Sequence, residues 1–505
     1  DHHMTYVIGI DSSTTATKAV VWDRDGLSVA EGRAEFGLAL PRPGWHEQDA
    51  EDWWRSTSKA VRQALETVDT SDVEAIGLTH QRETFACLDD DDRPLRPAIL
   101  WLDSRATRQV AEHGSEDVHR ITGKPPDTTP ALYKLLWLRD NEPETVERTR
   151  RVVDVHGFLV HRLTGRWRTT TACADPLGLV DMEKGDWSAP VLELAGLDRE
   201  QLPELDAPGS ELGELTEDAA ASLGLEAGLP IVGGSGDGQS AGLGANVTSP
   251  GRAYLNLGTA VIAGTSSPEY VWDRAFRTMG GPIPGTYSLE ALIQGGTYTV
   301  SWFLERIASL DAERLSLGLE DVDLLEAAAT RIAPGAEGLL LVPYWAGSQA
   351  PYWDSHAHGM LFGLGGHHGK EHLFRAVLEG IAFELRVQLE HLEKSDVEPV
   401  QVFLTMGGGS RSALWRQIVS DITHRRVIPC HEVETTSLGA GMHAAAAIGW
   451  FDSIADAAEA MSQNGAPHEP DEATTGRYDA LFEVYRELYP RTAELHRALD
   501  DARDA

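Results

Sequence analysis

The stretch "YVIGIDSSTTATKAVVWDRDG", residues 6–26, places Asp11 directly after an apolar strand and crowds five hydroxyl side chains into positions 12–17. Hydroxyls and backbone N–H groups bind phosphoryl oxygens, and a carboxylate binds hydrated Mg²⁺. The stretch therefore predicts a strand that ends in a phosphate-binding turn, with Thr14 and Thr15 on the phosphates and Asp11 on the metal. The alternative is a hairpin turn in which Asp and Ser side chains only cap the backbone.

The same pattern begins again near the middle of the chain. In "RAYLNLGTAVIAGTS", residues 252–266, an apolar strand again runs into a Gly/Ser/Thr turn, and a Thr-Ser-Pro-Gly breaker at 248–251 precedes it. The breaker predicts a boundary between two domains, residues 4–247 and 252–505. Gly258 and Thr259 can then form the second side of a phosphate clamp, although Gly-Thr after a strand is also common turn chemistry. Strands and helices alternate, which favours α/β layers with mainly parallel sheets.

Length and composition exclude several classes of protein. A chain of 505 residues is long enough for two large domains, each with its own core. The net charge of −36 argues against binding to nucleic acids or anionic membranes, and no apolar run is long enough to span a bilayer. Cys87, Cys173 and Cys430 lie far apart and predict reduced thiols. We expect a cytoplasmic protein without nucleic-acid or membrane partners.

Three consecutive glycines follow another apolar strand in "QVFLTMGGGSRSALWRQ", residues 401–417. Gly407, Gly408 and Gly409 leave bare backbone at the carboxyl end of that strand, where a flat base or a phosphate can approach. The turn predicts a nucleotide contact. The alternative is a flexible connection between strand and helix.

Charged residues follow two further apolar strands. Asp237 in "GSGDGQ" is flanked by glycines, which leave its carboxylate uncovered, as a general base requires. In "HQRET", residues 80–84, Arg82 and Glu83 can hydrogen-bond a polyhydroxy ligand. For an isolated Arg-Glu pair, a surface salt bridge is the alternative interpretation.

Taken in order, these segments resemble the FGGY family of carbohydrate kinases, ATP-dependent enzymes of the actin-like and hexokinase-like superfamily. The most specific segment, "GMLFGLGGHHGKEHLFRAVLE" at residues 359–379, is similar to the C-terminal signature of that family. The N-terminal signature is half matched by "KLLWLRDN", residues 134–141, and Ser13 and Ser412 stand where the family usually has Gly and Asn. The resemblance implies an α/β fold with two actin-like ATPase (ribonuclease H-like) domains and a catalytic cleft between them.

The resemblance also implies a role for each motif residue. Asp237 is expected to orient and deprotonate the acceptor hydroxyl and, with Asp11, to hold Mg²⁺. The expected sugar ligands are Arg82, Glu83, Trp101, Asp103 and Asp237. The expected nucleotide ligands are Thr14, Thr15, Lys18, Gly258, Thr259, Gly407, Gly408, Gly409 and Ser412. ATP and Mg²⁺ are the implied cofactors, a small sugar or polyol is the implied partner, and a homodimer is one option for the assembly.

Two segments point to different substrates. "HQRET" is similar to the glycerol kinase pocket, yet Thr129 and Ile262 stand where that pocket has tyrosine and phenylalanine. "LWLDSR", residues 100–105, resembles the Trp-x-Asp-x-Arg segment of xylulose kinases. We therefore expect a ketopentose such as xylulose, or a small polyol. The alternatives are a glycerol or tetritol kinase and, from another class, a catalytically inactive regulator that binds sugar and nucleotide.

Overall fold

The computed structural model describes residues 3–258, 260–293, 296–307 and 321–505. Each half of the chain folds around one six-stranded sheet with helices packed on its faces. This is a two-domain α/β fold, as the sequence predicts.

The first half orders its central sheet as β13-β14-β5-β1-β2-β3. Its strands are β1 (Tyr6–Ser12), β2 (Ala16–Trp22), β3 (Ser28–Glu35), β4 (Glu47–Gln48), β5 (Val73–His80), β6 (Phe85–Leu88), β7 (Ala98–Ile99), β8 (Arg151–Asp154), β9 (Arg168–Thr170), β10 (Val180–Asp181), β11 (Asp186–Trp187), β12 (Glu204–Asp206), β13 (Glu211–Glu214) and β14 (Pro230–Gly236). Its α-helices are α1 (Glu51–Ala64), α2 (Thr107–His113), α3 (Glu116–Thr122), α4 (Ala131–Asn141), α5 (Pro143–Arg148), α6 (Val155–Thr164), α7 (Thr171–Ala174), α8 (Ala189–Ala195), α9 (Glu217–Leu223) and α10 (Asp237–Gly244).

The second half orders its central sheet as β17-β18-β16-β15-β21-β22. Its strands are β15 (Arg252–Leu257), β16 (Val261–Ser267), β17 (Arg277–Gly280), β18 (Tyr287–Ile293), β19 (Leu340–Val342), β20 (Met360–Phe362), β21 (Val402–Met406) and β22 (Arg426–Pro429). Its described α-helices are α11 (Gly296–Arg306), α12 (Asp321–Thr330), α13 (Lys370–Glu393), α14 (Ala413–Thr423), α15 (Thr435–Ala447), α16 (Ile454–Met461) and α17 (Glu472–Asp504).

The two sheets share one arrangement around their first strands. β1 runs antiparallel to β2 and parallel to β5, while β15 runs antiparallel to β16 and parallel to β21. Hairpins supply the antiparallel strands on one side of β1 and of β15, and longer crossovers supply the parallel strands on the other side. In the first sheet β13 adds a further antiparallel strand beyond β14. Both sheets are therefore mixed, and the expectation of mainly parallel sheets is wrong.

Apolar side chains form a core on each sheet. Ile8 and Phe158 lie in the core of the first half, and Leu255 and Phe383 lie in that of the second. Across the described part of the chain, no helix combines the length and the apolar character needed to cross a membrane.

A helix from the second half covers one face of the first sheet. α15 approaches β1 and β5 so closely that a Cβ at Gly9 would lie 2.1 Å from the backbone oxygen of Ser437, and one at Gly77 would lie 2.0 Å from that of Ala440. Ser437 Oγ also donates a hydrogen bond of 2.8 Å to the backbone oxygen of Gly9. Residues far beyond 252 therefore complete the first layer, and the domain boundary at 248–251 remains a prediction.

We predict that Gly77→Ala destabilises the protein by about 1–3 kcal/mol, because the new Cβ would push the α15 backbone away from β5. The matched control is Gly476→Ala in α17, where a Cβ meets nothing within 4 Å. That substitution should be neutral or stabilise the helix by about 1 kcal/mol. Urea unfolding of the three proteins measures both effects. Equal unfolding midpoints for Gly77→Ala and the unsubstituted chain would contradict the close packing of α15 on β5.

Candidate active site

A cavity of about 620 Å³ opens between the two halves of the chain. Both halves contribute charged and apolar side chains to its wall, among them Arg82, Glu83, Trp101, Asp237, Tyr254, Ile262, Arg277 and Glu290. The strands explain why these residues meet. In the first sheet β5 pairs in parallel with β1 and with β14, and in the second sheet β15 pairs in parallel with β21. Within each sheet, the turns at the carboxyl ends of these parallel strands therefore lie side by side.

Asp237 is the first residue of α10 and follows β14 directly. Its side chain is 42% exposed, and its Oδ1 lies 3.1 Å from Arg82 Nε. The flanking glycines are required by close neighbours, because a Cβ at Gly236 would lie 2.4 Å from Arg82 Cδ and one at Gly238 would lie 2.5 Å from Glu290 Oε1. Burial of the carboxyl group among protein atoms raises the pKa of Asp237 above its ordinary value, and Arg82 opposes that rise. The carboxylate is thus reachable from the cavity and more basic than in water.

Asp11 lies at the end of β1, where its Oδ1 is buried and has no hydrogen-bond partner. Burial raises the pKa of Asp11 to about 7, and the negative charge of Asp237 adds to the rise. A bound cation would relieve both the unpaired oxygen and the repulsion, so these residues fit a Mg²⁺ ion. Among the described residues, no group of three or more His, Cys, Asp or Glu side chains can hold a metal by itself. An ion here would need further oxygen ligands, such as water and phosphate.

Arg82 and Glu290 form a buried ion pair that joins the two halves. Arg82 Nη1 donates to Glu290 Oε1 at 2.7 Å, and Nη2 donates to Oε2 at 2.9 Å. Arg277 Nη2 lies 3.2 Å from Glu290 Oε2, and its Nη1 lies 3.2 Å from Glu83 Oε1. Although burial opposes ionisation, the two arginines lower the pKa of Glu290 to about 2. Arg82 and Glu83, predicted as sugar ligands, thus line the cavity with their charged ends paired to Glu290 and Arg277.

Sequence reasoning missed Glu290, Arg277 and Tyr254. Glu290 interrupts the apolar strand β18 within "SLEALI", and Arg277 begins β17 within "FRTMGG". A charged residue inside an otherwise buried strand was the available signal. Its partner was not predictable, because Arg82 lies 208 residues away in the sequence.

Thr14 and Thr15, predicted to bind phosphates, lie in the hairpin turn between β1 and β2. The first turn closes with a hydrogen bond of 2.9 Å from the Ser13 amide to the Ala16 carbonyl, which is the hairpin geometry of the alternative interpretation. Thr14 Oγ1 accepts a hydrogen bond of 3.0 Å from the indole of Trp101, and Thr15 is exposed. Such a turn leaves Thr15 available to a ligand, so the phosphate role remains a prediction.

The remaining nucleotide predictions fall at several places. Lys18 pairs with Glu434 at 3.1 Å. Gly407 has a φ of +85°, and space around Gly408 is open. Ser412 caps α14 and donates to Glu326, so its hydroxyl is already engaged. A Cβ at Gly409 would lie 2.3 Å from the Trp415 ring, and Gly258 precedes Thr259, which lies outside the described residues.

Comparison with known proteins identifies the family. Residues 6–244 match the N-terminal domain of the FGGY family of carbohydrate kinases, and residues 253–448 match its C-terminal domain. The chain belongs to the FGGY family of carbohydrate kinases. It is therefore a phosphotransferase that acts on sugar hydroxyl groups, with the two-domain, actin-like fold of that family.

Relatives of this FGGY kinase carry different substrate names. The chain is 29% identical to a xylulose kinase of Bacillus subtilis (strain 168), over 99% of this chain and 100% of the relative. It is 32% identical to a glycerol kinase of Thermococcus gammatolerans (strain DSM 15229 / JCM 11827 / EJ3), over 89% and 90%. The crystal structure of a gluconate kinase from Lactobacillus acidophilus superposes with a TM-score of 0.90 at 25% identity and covers 98% of this chain and 100% of that one. The three names differ in the acceptor, so they do not fix it.

One half-matched family signature of this FGGY kinase lies behind the cavity wall that contains Trp101 and Thr129. Lys134, in "KLLWLRDN", is fully buried and donates hydrogen bonds to the backbone oxygens of Leu100, Trp101 and Thr129, at 2.9, 3.3 and 3.1 Å. Burial lowers the pKa of Lys134 to about 8. The ammonium group thus holds together two loops that line the cavity.

The structure does not bring Asp103 to the cavity. Its side chain is fully buried, and its oxygens accept hydrogen bonds from the Arg105 guanidinium and from the His46 amide. Arg105 also reaches Glu47 at 2.8 Å. Of the predicted Trp-x-Asp-x-Arg segment, Trp101 lines the cavity, while Asp103 and Arg105 form a buried ion pair beneath it.

We predict that Asp103→Ala lowers stability by about 3 kcal/mol, because it leaves Arg105 buried with Glu47 as its remaining carboxylate. The KM for the acceptor should change little. The control, Asp117→Ala, removes a carboxylate that is 83% exposed and paired with Arg120, and should cost at most about 1 kcal/mol. Thermal unfolding and steady-state kinetics give both readouts. A tenfold rise in KM with unchanged stability would return Asp103 to the role of sugar ligand.

Proposed function

We propose that this FGGY kinase transfers the γ-phosphoryl group of ATP to a terminal hydroxyl of a ketopentose such as xylulose, or of a four- to five-carbon polyol. The observation that carries the proposal is the Asp237 carboxylate. It opens to a cavity that both halves of the chain line, and it lies beside Arg82 in the polar part of the wall. General base catalysis requires such an exposed carboxylate within reach of the acceptor.

The proposed reaction is an in-line transfer. The acceptor oxygen forms a bond to the γ-phosphorus while the bond from that phosphorus to the bridging oxygen of ADP breaks, and the hydroxyl proton passes to Asp237. The raised pKa of Asp237 suits a base that must take a proton near neutral pH. Arg82 Nε, at 3.1 Å, holds the carboxylate in one orientation.

The phosphates and the nucleotide are assigned to the turns at the strand ends. Thr14, Thr15, Lys18, Gly258 and Thr259 are proposed for the phosphates. Asp11 and Asp237 are proposed to hold Mg²⁺, which when bound supplies positive charge against the phosphate oxygens. The open backbone at Gly408 and the turn from Gly407 to Ser412 are proposed for the adenosine. Closure of the halves over the cavity would exclude water, to which an open site could lose the phosphoryl group.

The choice of acceptor rests on the apolar part of the cavity. Thr129 and Ile262 both line it, and neither supplies the aromatic ring or the phenol hydroxyl expected of a glycerol pocket. A three-carbon triol would leave the space beside Thr129 and Ile262 unfilled, whereas a five-carbon chain can extend into that space. Full-length similarity to a xylulose kinase supports this choice. Glycerol is the second candidate, because Arg82 and Glu83 are residues that a glycerol site would keep.

We predict that Asp237→Asn lowers kcat by a factor on the order of 10²–10⁴ and leaves ATP affinity nearly unchanged, because it removes the base but preserves the shape of the side chain. Coupled ADP release measures kcat, and calorimetry measures nucleotide affinity. Glu193→Gln on the surface is the control for loss of one negative charge. Retention of more than a tenth of the original kcat would remove Asp237 from the base role, and absence of ADP release from the unsubstituted chain with every acceptor would favour the inactive regulator.

We also predict which acceptor the enzyme prefers. On one preparation, kcat/KM for xylulose should exceed that for glycerol by roughly ten- to hundredfold, the effect of one or two missing hydrogen bonds and apolar contacts. Ile262→Phe should lower the ratio of kcat/KM for xylulose to that for glycerol, since the phenylalanine ring would fill part of the cavity beside residue 262. A ratio that favours glycerol in the unsubstituted enzyme would overturn the ketopentose assignment and leave the kinase assignment untouched.

A further inference from the structure

The cations of the cavity wall are all paired with carboxylates. Within the described part of the chain, Arg82, Arg277 and Lys124 are the cations that line the cavity. Arg82 pairs with Glu290, Arg277 pairs with Glu83 and Glu290, and Lys124 Nζ lies 2.9 Å from Asp175 Oδ1. We propose that the acceptor is an uncharged polyhydroxy compound and that Glu290 enforces this choice by occupying the guanidinium of Arg82. The inference rests on the proposed function and names the charge class of its substrate.

The guanidinium of Arg82 has little capacity left for another anion. Its Nε faces Asp237, and its two terminal nitrogens donate to the two oxygens of Glu290. Nη1 also donates to Gln239 Oε1 at 3.1 Å. The two terminal nitrogens, which could otherwise bind a substrate carboxylate in bidentate fashion, already bind the carboxylate of Glu290.

Glu290 is fixed from several sides. Its side chain is 1% exposed, and it accepts hydrogen bonds from Arg82, from Arg277 and from the Tyr254 hydroxyl. Substrate cannot easily displace a carboxylate that three donors hold. The chain itself therefore supplies the carboxylate partner of Arg82 in this wall.

An anionic acceptor would meet unfavourable charges in this cavity. Asp127 and Asp237 line it, and Arg82 is the cation beside Asp237. The carboxylate of an aldonic acid would lose its hydration there, while the described cations of the wall already pair with carboxylates of the protein. Burial of an unpaired charge is costly, and repulsion of like charges adds to the cost. A neutral sugar avoids this, because its hydroxyls donate to the same carboxylates.

Two pairs of acceptors that differ in charge test the inference. The first pair is xylitol and xylonate, and the second is glycerol and glycerate, each measured by ADP release with ATP. In the unsubstituted enzyme, kcat/KM should favour the neutral member of each pair by a factor on the order of a hundred. Equal values for the neutral and anionic members would overturn the inference. Because both chain lengths are included, a preference for glycerol over xylitol would count against the four- to five-carbon acceptor of the proposed function and leave the charge rule standing.

Glu290→Gln tests the residue itself. The substitution keeps the shape of the side chain but removes the negative charge that holds the terminal nitrogens of Arg82. The ratio of kcat/KM for the anionic acceptor to that for the neutral one should rise by about tenfold or more, the effect expected of one charge-assisted hydrogen bond. Asp127→Asn is the matched control, since it removes a negative charge from the same wall without freeing an arginine. Its ratio should stay within about threefold of the unsubstituted enzyme. An equal rise of this ratio in both variants would show a general charge effect and remove Glu290 from the proposed role. If Glu290→Gln fails to fold, the comparison of neutral and anionic acceptors in the unsubstituted enzyme still tests the inference.

Discussion

The buried ion pair between Arg82 and Glu290 links the two halves of the chain at the wall of the cavity, and much of the site is arranged around it. Removing two charges from water is costly, and a well-packed apolar pair is often at least as stable. The pair is therefore better explained by specificity than by stability. It fixes the wall in one geometry and orients Asp237, which lies 3.1 Å from Arg82 Nε.

Glycines allow this arrangement to form. Side chains at positions 236 and 238 would collide with Arg82 and Glu290, so only glycine lets both approach Asp237. Gly9 and Gly77 likewise have no side chain at the two points where α15 of the second half packs against the first sheet. The absence of side chains at these glycines thus lets α15 pack on the first sheet and lets Arg82 and Glu290 approach Asp237, the proposed base.

The sequence predicts those parts of the site that depend on local order. Asp11 ends β1 and Asp237 follows β14, and both strands pair in parallel with β5, which brings their carboxyl ends to one edge of the first sheet. The glycines at 407–409 follow β21, which pairs in parallel with β15 in the second sheet. It does not predict partners that meet only in the folded chain. Nothing local indicates that Glu290 would occupy Arg82. Asp103 resembles a sugar ligand in its motif, yet Arg105, two residues away, holds it in the interior. The parallel character of the sheets was overestimated because hairpins and crossovers follow one another in each half.

Asp11 and Asp237 define the electrostatic problem that the site must solve. Burial raises the pKa of both carboxyl groups, and the charge of Asp237 adds to the rise at Asp11, whose pKa is about 7 and which has one oxygen unpaired. ATP would bring further negative charge to the same place. Arg82 cannot neutralise all of it, because Glu290 already holds its terminal nitrogens. The residues of the chain therefore leave a deficit of positive charge at the point of transfer, and a divalent cation that enters with the nucleotide is the simplest way to supply it. If the phosphoryl group is transferred beside Asp237 as we propose, the internal pairing of Arg82 disfavours anionic acceptors and leaves the charge of the phosphates to be balanced by the metal.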